Sequence, residues 1–217
     1  MITPIFKLDS SEKWRPQPVE TAERFGRIGG QPFQLAALPP AGGRMDFPAG
    51  MTDPTDTPVA GYHRAVQKAN LYWHQFWLWY LYNPWEVLGI GKHKGDWEFV
   101  QIATIDAAGQ KPVLMTASQH HSGEKREFWR CEVVDGRPVV YVAIGSHANY
   151  FTPGDRGDDS ADGQGRELDI IDWRDFGPWA TWPGLWGNST GAGRSPDSPG
   201  NQHPRWDRPH IFHSQAH

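Results

Sequence analysis

The sequence predicts a mainly β protein, an antiparallel β-sandwich with long Trp-, Gly- and Pro-rich loops and a few short helices. Three observations carry that reading. Gly 24 and Pro 19 together make 43 of the 217 residues, about 20% against the ~12% of average usage, which disfavours long helices. Trp occurs 12 times, several times its ordinary use, and a chain so rich in aromatics is not disordered. The middle of the chain is a series of short apolar runs parted by turns about every ten residues, as expected of a sandwich.

Taken in order, the first helix is expected over Glu20–Phe25, after Pro16 and Pro18 and stopped by Gly26. A second is expected over His63–Leu71. Gly29-Gly30, Pro39-Pro40 and Gly42-Gly43 make the segment between them irregular. Tyr72 to Tyr82 then alternates Trp73, Gln75, Trp77 and Trp79 against Tyr72, His74, Phe76 and Leu78, as a strand does. Asp96 to Ile105 places Asp96, Glu98, Val100 and Ile102 on one face and Trp97, Phe99 and Ala103 on the other. Strands over Pro112–His121, Glu127–Val134 and Pro138–Ser146 follow, with turns at Ala108-Gly109, Ser122-Gly123 and Asp135-Gly136. Asp-Gly between two apolar runs is a hairpin signal. Both faces of several strands are apolar, as where one sheet packs on another or lies under loops. After Tyr150 the pattern gives way to acidic, Gly-rich, Trp-containing loop. Residues 186–205 are either a loop pinned by Trp186 and Trp206 or a mobile flap. No repeat or linker divides the chain, so one domain over 1–217 is expected.

Charge and targeting signals narrow the classes. Lys+Arg 21 against Asp+Glu 25 leaves a net charge of -4 and a pI near 6.2. That balance offers no basic footprint for nucleic acid and no cationic face for an anionic membrane. The longest apolar run, Phe76 to Tyr82, falls short of the ~20 residues of a transmembrane segment. Met1 to Lys7 lacks the charged start and apolar core of a signal peptide. A soluble, cytoplasmic chain is the expectation, with secretion by another route left open. The single Cys131 excludes an internal disulfide framework and a Cys-rich zinc site, and reads as a small buried hydrophobe. Oligomeric state is open.

The chemistry concentrates in three strand-end clusters. In Gly91-Lys92-His93-Lys94-Gly95-Asp96-Trp97-Glu98, the two carboxylates point to one face and His93 precedes a glycine that lets the chain fold back. One imidazole and two carboxylates suit a hard or borderline divalent cation with positions left for water; magnesium, calcium, manganese and zinc are not distinguished. The plainer alternative is an exposed strand start with Asp96 capping a turn and Glu98 solvated. The second cluster is Ser118-Gln119-His120-His121, whose two histidines point to opposite faces. The third is Gly145-Ser146-His147-Ala148-Asn149-Tyr150. There His147 is a ligand, a base near neutral pH, or a histidine bonded to a loop carbonyl. Asp155, Asp158, Asp159 and Asp162 lack the spacing of a calcium loop and read as solvated. No Gly-x-Ser-x-Gly elbow and no phosphate loop occurs. Trp179, Trp182, Trp186 and Trp206 lie in loop sequence, where indoles are core or line an apolar or sugar-binding cleft.

These residues also carry a resemblance. Phe6-Lys7-Leu8, Glu12-Lys13-Trp14-Arg15-Pro16, His93-Lys94-Gly95-Asp96-Trp97-Glu98, Ser118-Gln119-His120, Gly145-Ser146-His147-Ala148-Asn149-Tyr150 and Trp186-Gly187 occur in that order. The chain so resembles the vacuolar protein sorting-associated protein 62-like family. Its His-x-x-Asp-Trp-Glu core is similar to the central motif of the necrosis- and ethylene-inducing-like toxins. Those are β-sandwiches that hold a divalent cation with the His, Asp and Glu of the motif and act on plant membrane sphingolipid headgroups. Carried over, the resemblance implies His93, Asp96 and Glu98 as metal ligands. An upstream acidic ligand of the toxins has no clear match here, Asn83 or Glu86 being nearest. Gly95 replaces a second histidine.

Two functions are therefore carried forward. One is a metal-dependent hydrolase, lyase or cyclase, with His147 or His120 moving the proton and Trp97, Tyr150 and Trp186 lining a pocket for an apolar or ring-containing small molecule. The other is a module in which the cation bridges the protein to a lipid or glycan headgroup without turnover.

Overall fold

The computed structural model describes residues 1–86, 91–119, 122–156, 159–188, 196–202 and 205–211. Among the described residues strand predominates and helix is minor, which makes the chain mainly β. It opens with β1 (Ile5–Leu8), the short helix α1 (Thr21–Phe25) and a small sheet of β2 (Arg27–Ile28), β3 (Gln31–Pro32) and β4 (Met45–Asp46). Five longer strands follow: β5 (Ala60–Lys68), β6 (Leu71–Asn83), β7 (His93–Thr104), β8 (Pro112–Gln119) and β9 (Ser122–Glu127). Then come β10 (Val133–Val134), β11 (Arg137–Val142), β12 (Asn149–Tyr150), and the hairpin β13 (Gly154–Arg156) with β14 (Asp159–Ala161). β15 (Glu167–Leu168), β16 (Asp172–Arg174) and the helical turn α2 (Pro199–Gln202) complete the elements.

Two sheets make the sandwich. The larger runs β16-β5-β6-β7-β8-β9, and the other runs β10-β11-β1-β15 with β12 on β11. Pairing is antiparallel except between β1 and β11 and between β16 and β5. Phe6, Leu8, Val140 and Val142 of one sheet share a buried cluster with Phe76, Leu78, Val100, Ile102 and Met115 of the other. Trp77, Trp79, Trp97 and Phe99 belong to the same cluster, packed by loop indoles: Trp97 stacks on Trp179 at 5.6 Å, and Trp79 meets Trp186 edge-on at 5.9 Å. Because both faces of β6 and β7 are covered, those strands read as near-continuous apolar runs. The Trp-rich loop sequence is thus largely core, with Trp179, Trp182 and Trp186 all buried.

The structure corrects several local expectations. His63–Leu71 is not helical. It is the end of β5 and a hairpin turn in which Ala69 and Asn70 take φ values of 51° and 62°. Two consecutive positive φ values match a two-residue hairpin turn, and pairing of Tyr62 with Trp77 and His63 with Phe76 outweighs the local pattern. The strand expected over Glu127–Val134 is broken by a 3-10 turn at Phe128–Arg130, and Ser122-Gly123 lies inside β9, paired with Gln119 and Ser118. The Asp135-Gly136 turn is borne out, with φ values of 49° and 77°. The acidic loop is not simply solvated. Asp159 is buried and accepts the Tyr150 hydroxyl at 3.0 Å, and Asp162 accepts the Ser10 N–H at 2.8 Å; Asp158 lies outside the described residues. Cys131 is buried, and burial pushes its thiol up to about 11. Among the described residues no helix is long and apolar enough to cross a membrane.

Candidate functional site

At one end of the large sheet, β6 and β7 place Tyr80 opposite Asp96, Leu78 opposite Glu98 and Asn83 opposite His93. Gly95 interrupts β7 with φ +67°, and a Cβ there would lie 2.1 Å from the Trp186 carbonyl oxygen. Only glycine meets both demands. The kink lets the His93 Nδ1–H donate to the Gly95 carbonyl at 2.8 Å. A carbonyl only accepts, so Nδ1 carries a hydrogen and Nε2 is the ring's outward nitrogen. That nitrogen lies 3.9 Å from Asp96 Oδ1.

The other Asp96 oxygen faces inward. Oδ2 accepts from His147 Nδ1 at 2.8 Å and from Asn83 Nδ2 at 3.2 Å. His147 is fully buried, stacked on the Tyr80 ring at 3.8 Å, and held in a left-handed backbone conformation with φ 55°. Its Nε2 lies 3.8 Å from Glu12 Oε2. The Glu12 side chain is itself buried, accepting the backbone N–H of Trp14 at 2.6 Å and that of Gly145. Burial disfavours charge on His147, but the charge of Glu12, 3.8 Å from Nε2, and the hydrogen bond to Asp96 outweigh it and lift the imidazole to about 9. Burial likewise pulls Glu12 up, and the His147 charge with the hydrogen bonds around it more than offsets this, leaving the carboxyl below its ordinary value. The two carboxylates thus favour the protonated form of this buried ring.

Glu98 takes another partner. The regular β7–β8 ladder stops at Val100 and Ala117, and beyond it the Ser118 hydroxyl donates to Glu98 Oε2. The same hydroxyl oxygen accepts the Phe99 N–H at 2.9 Å, with Asn149 Nδ2 at 3.4 Å. Of the residues expected from sequence, His93, Asp96 and His147 thus converge, while Glu98 is engaged one residue pair away. His120 and its neighbour His121 lie outside the described residues. Trp97 and Trp186 are core residues 5.7 Å apart in edge-on contact. Tyr150 sits on β12 with its hydroxyl on Asp159. Asn83 joins the cluster through Asp96, whereas Glu86 pairs with Lys92. Glu12 and Tyr80 escaped the sequence reading, since no spacing rule links them to His147.

Fit to a metal is partial. Among the described residues no group of three or more His, Cys, Asp or Glu is arranged to hold one. His93 Nε2 and Asp96 Oδ1 supply one nitrogen and one oxygen donor. Their 3.9 Å separation is slightly wider than the ~3–3.5 Å between adjacent ligands of a divalent cation.

Residues 83–164 match the family described as vacuolar protein sorting-associated protein 62, a span holding the Gly95-Asp96-Trp97-Glu98 and Gly145-Ser146-His147 motifs. No curated protein matches the sequence. Among solved structures the chain is similar to NLPPya in complex with mannosamine, at 16% identity over 79% of this chain and 70% of that one, with a TM-score of 0.48. It is similar to the non-toxic HaNLP3 protein at 15% identity over 79% and 71%, with a TM-score of 0.48. It is also similar to Necrosis and Ethylene inducing Protein 2 from the causal agent of cocoa's Witches Broom disease, at 13% identity over 80% and 70%, with a TM-score of 0.47. Both groups named from the motifs are therefore among the proteins that this chain resembles.

Proposed function

We propose that the chain is a cation-dependent binding module. His93 and Asp96 hold a divalent cation at the end of the sandwich, and its remaining coordination positions take oxygen atoms of a lipid or glycan headgroup. The observation that carries this reading is the meeting of His93 and Asp96 at one strand end, Nε2 lying 3.9 Å from Oδ1, with Asp96 Oδ2 held by His147 and Asn83. A histidine oriented by a carbonyl on one nitrogen and a carboxylate held by buried donors are the outer-shell arrangements that metal ligands use. When bound, the cation supplies a Lewis-acidic contact for phosphate or hydroxyl oxygens, and two protein ligands suit an ion that keeps several waters.

Turnover has less support. A general base needs a free lone pair within reach of substrate and a pKa near working pH, whereas His147 is buried, cationic and occupied at Nδ1. Trp97 and Trp186 are packed in the core rather than around a cleft. Calorimetry with magnesium, calcium, manganese and zinc tests the cation, using wild type, His93→Ala and Asp96→Asn. One of these ions should bind wild type near one to one and lose affinity in both variants. Cation-dependent flotation with sphingolipid-containing vesicles, or retention on immobilised glycans, then separates the two headgroup sources. No binding of any of the four ions overturns the reading, and metal-dependent hydrolysis or elimination that survives in His147→Gln would return it to an enzyme.

A further inference from the structure

We infer that His63 and His74 form an acid-sensitive latch: their shared hydrogen bond holds the β5–β6 hairpin against the β7–β8 turn and the N-terminal segment, and acid releases both. His63 Nε2 and His74 Nδ1 lie 3.2 Å apart, with the two rings parallel within 12°. His74 is buried, and His63 is half-buried with its ring 5.1 Å from that of Phe76. The other nitrogen of His74, Nε2, is buried and has no partner among the described residues. It lies against Gly109, where a Cβ would stand 2.9 Å from it, and the Gly109 carbonyl accepts the Ile2 N–H at 2.9 Å. Contacts thus run from His63 through His74 and Gly109 to Ile2. His74 comes six residues before Tyr80 on β6, about 20 Å from the Asp96 end of the sheet, so the latch does not touch the cation site.

Counting hydrogens shows why acid acts here. A neutral imidazole carries one hydrogen on its two nitrogens. The neutral pair therefore has one hydrogen between the rings, one on an outer nitrogen, and one outer nitrogen bare. A first added proton fills the bare position, so the buried, unpartnered Nε2 of His74 then carries a hydrogen. A second sets N–H against N–H across 3.2 Å and ends the hydrogen bond. Burial lowers both rings below the ordinary 6.5, His63 to about 4. The charge of His74 adds to this on His63, and the Met1 amino group adds to it on both rings. Asp175, after β16, pulls His63 the other way, and Asp106 of the β7–β8 turn does so for His74. Folded values below the ordinary one mean that the latch holds fully above about 6.5 and weakens as pH falls towards 4.

Amide hydrogen exchange followed by NMR on the full chain tests this. The Ile2 N–H reads the latch, and the Phe99 N–H, bonded to Ser118, reads the sheet near the other end. From pH 6.0 to 5.0, corrected for intrinsic exchange, the Ile2 opening constant should rise roughly 50-fold, near the limit of tenfold per pH unit for each of two protons. That of Phe99 should rise less than tenfold. His63→Gln presents His74 with an acceptor as well as a donor, so a protonated His74 keeps its hydrogen bond. In that variant the rise at Ile2 should shrink to about tenfold or less. A rise below tenfold in wild type, an equal rise in His63→Gln, or an equal rise at Phe99 overturns the inference. Should His63→Gln not fold, nitrogen-15 spectra of the wild-type imidazoles decide: both rings should be neutral at pH 6.0, and a cationic His63 or His74 there refutes the latch.

Discussion

Titrating His147 should cost this protein much of its stability between neutral and alkaline pH. The imidazole stands at about 9 in the folded chain against its ordinary 6.5. A folded-state value above the unfolded one means that the contribution is fully present below 6.5 and is lost as pH rises through about 9. The gap of about 2.5 units at ~1.4 kcal/mol per unit gives about 3 kcal/mol, undiminished by solvent because the ring is fully buried. For a chain of this size that corresponds to a fall of roughly 6–12 °C in Tm. Glu12 has the opposite sign: its lowered value stabilises the fold above about 4.5 and is lost as pH falls further. Urea unfolding followed by tryptophan fluorescence from pH 6.5 to 9.5 measures the effect. His147→Gln keeps an N–H for Asp96 but cannot titrate, so its stability should lack the decline. A wild-type curve flat to within 1 kcal/mol, or an equal slope in His147→Gln, refutes the reasoning.

Three further perturbations follow from the packing. Gly95→Ala combines φ +67° with a Cβ 2.1 Å from the Trp186 carbonyl, so it should cost ~1–2 kcal/mol for the left-handed backbone alone and more for the displaced loop. An unfolding free energy within 1 kcal/mol of wild type contradicts that close approach. Trp186→Ala, at a fully buried indole, should cost about 3–5 kcal/mol, whereas Trp129→Ala, 77% exposed, should stay within about 0.5 kcal/mol; similar losses at both sites count against the assigned core. Ser118→Ala withdraws the hydroxyl from buried Glu98 and should destabilise by ~1–3 kcal/mol in the same urea assay, so a neutral result would mean that Glu98 does not depend on Ser118.

Much of the sheet was legible because its signals are local. Alternation marked β6 and β7, and Asp135-Gly136 marked the turn between β10 and β11. Where the deciding interaction is distant, the sequence misled or fell silent. The His63–Leu71 segment lacks a strong strand pattern of its own and becomes a strand because the Trp-rich β6 pairs with it. The parallel alignment of β1 with β11 leaves no trace in either segment, and so Glu12 could not be placed beside His147. Residue parity put Asp96 and Glu98 on one face but did not reveal that Ser118 engages Glu98 while Asp96 is held by His147 and Asn83. Indoles in loops look alike whether they fill a core or line a cleft, and only packing distinguishes Trp186 as core.

The energetics of the cluster are those of an arrangement whose geometry costs stability. A buried array of charges is often matched or exceeded in stability by apolar residues of the same volume. His147 adds a left-handed backbone that costs a side-chain-bearing residue about 1–2 kcal/mol. Strain of this kind persists where the surroundings over-determine it, and it gathers at working sites. Here the surroundings are Glu12, the Tyr80 ring, Asn83 and the Ala143 carbonyl that accepts the His147 N–H at 3.2 Å. Glu12, Tyr80 and Ala143 hold His147, which with Asn83 holds Asp96, and Asp96 Oδ1 lies 3.9 Å from the partly exposed His93. Apolar residues of the same volume would avoid both the buried charges and the strain, so what this arrangement gains over them is one fixed orientation of His147 and Asp96.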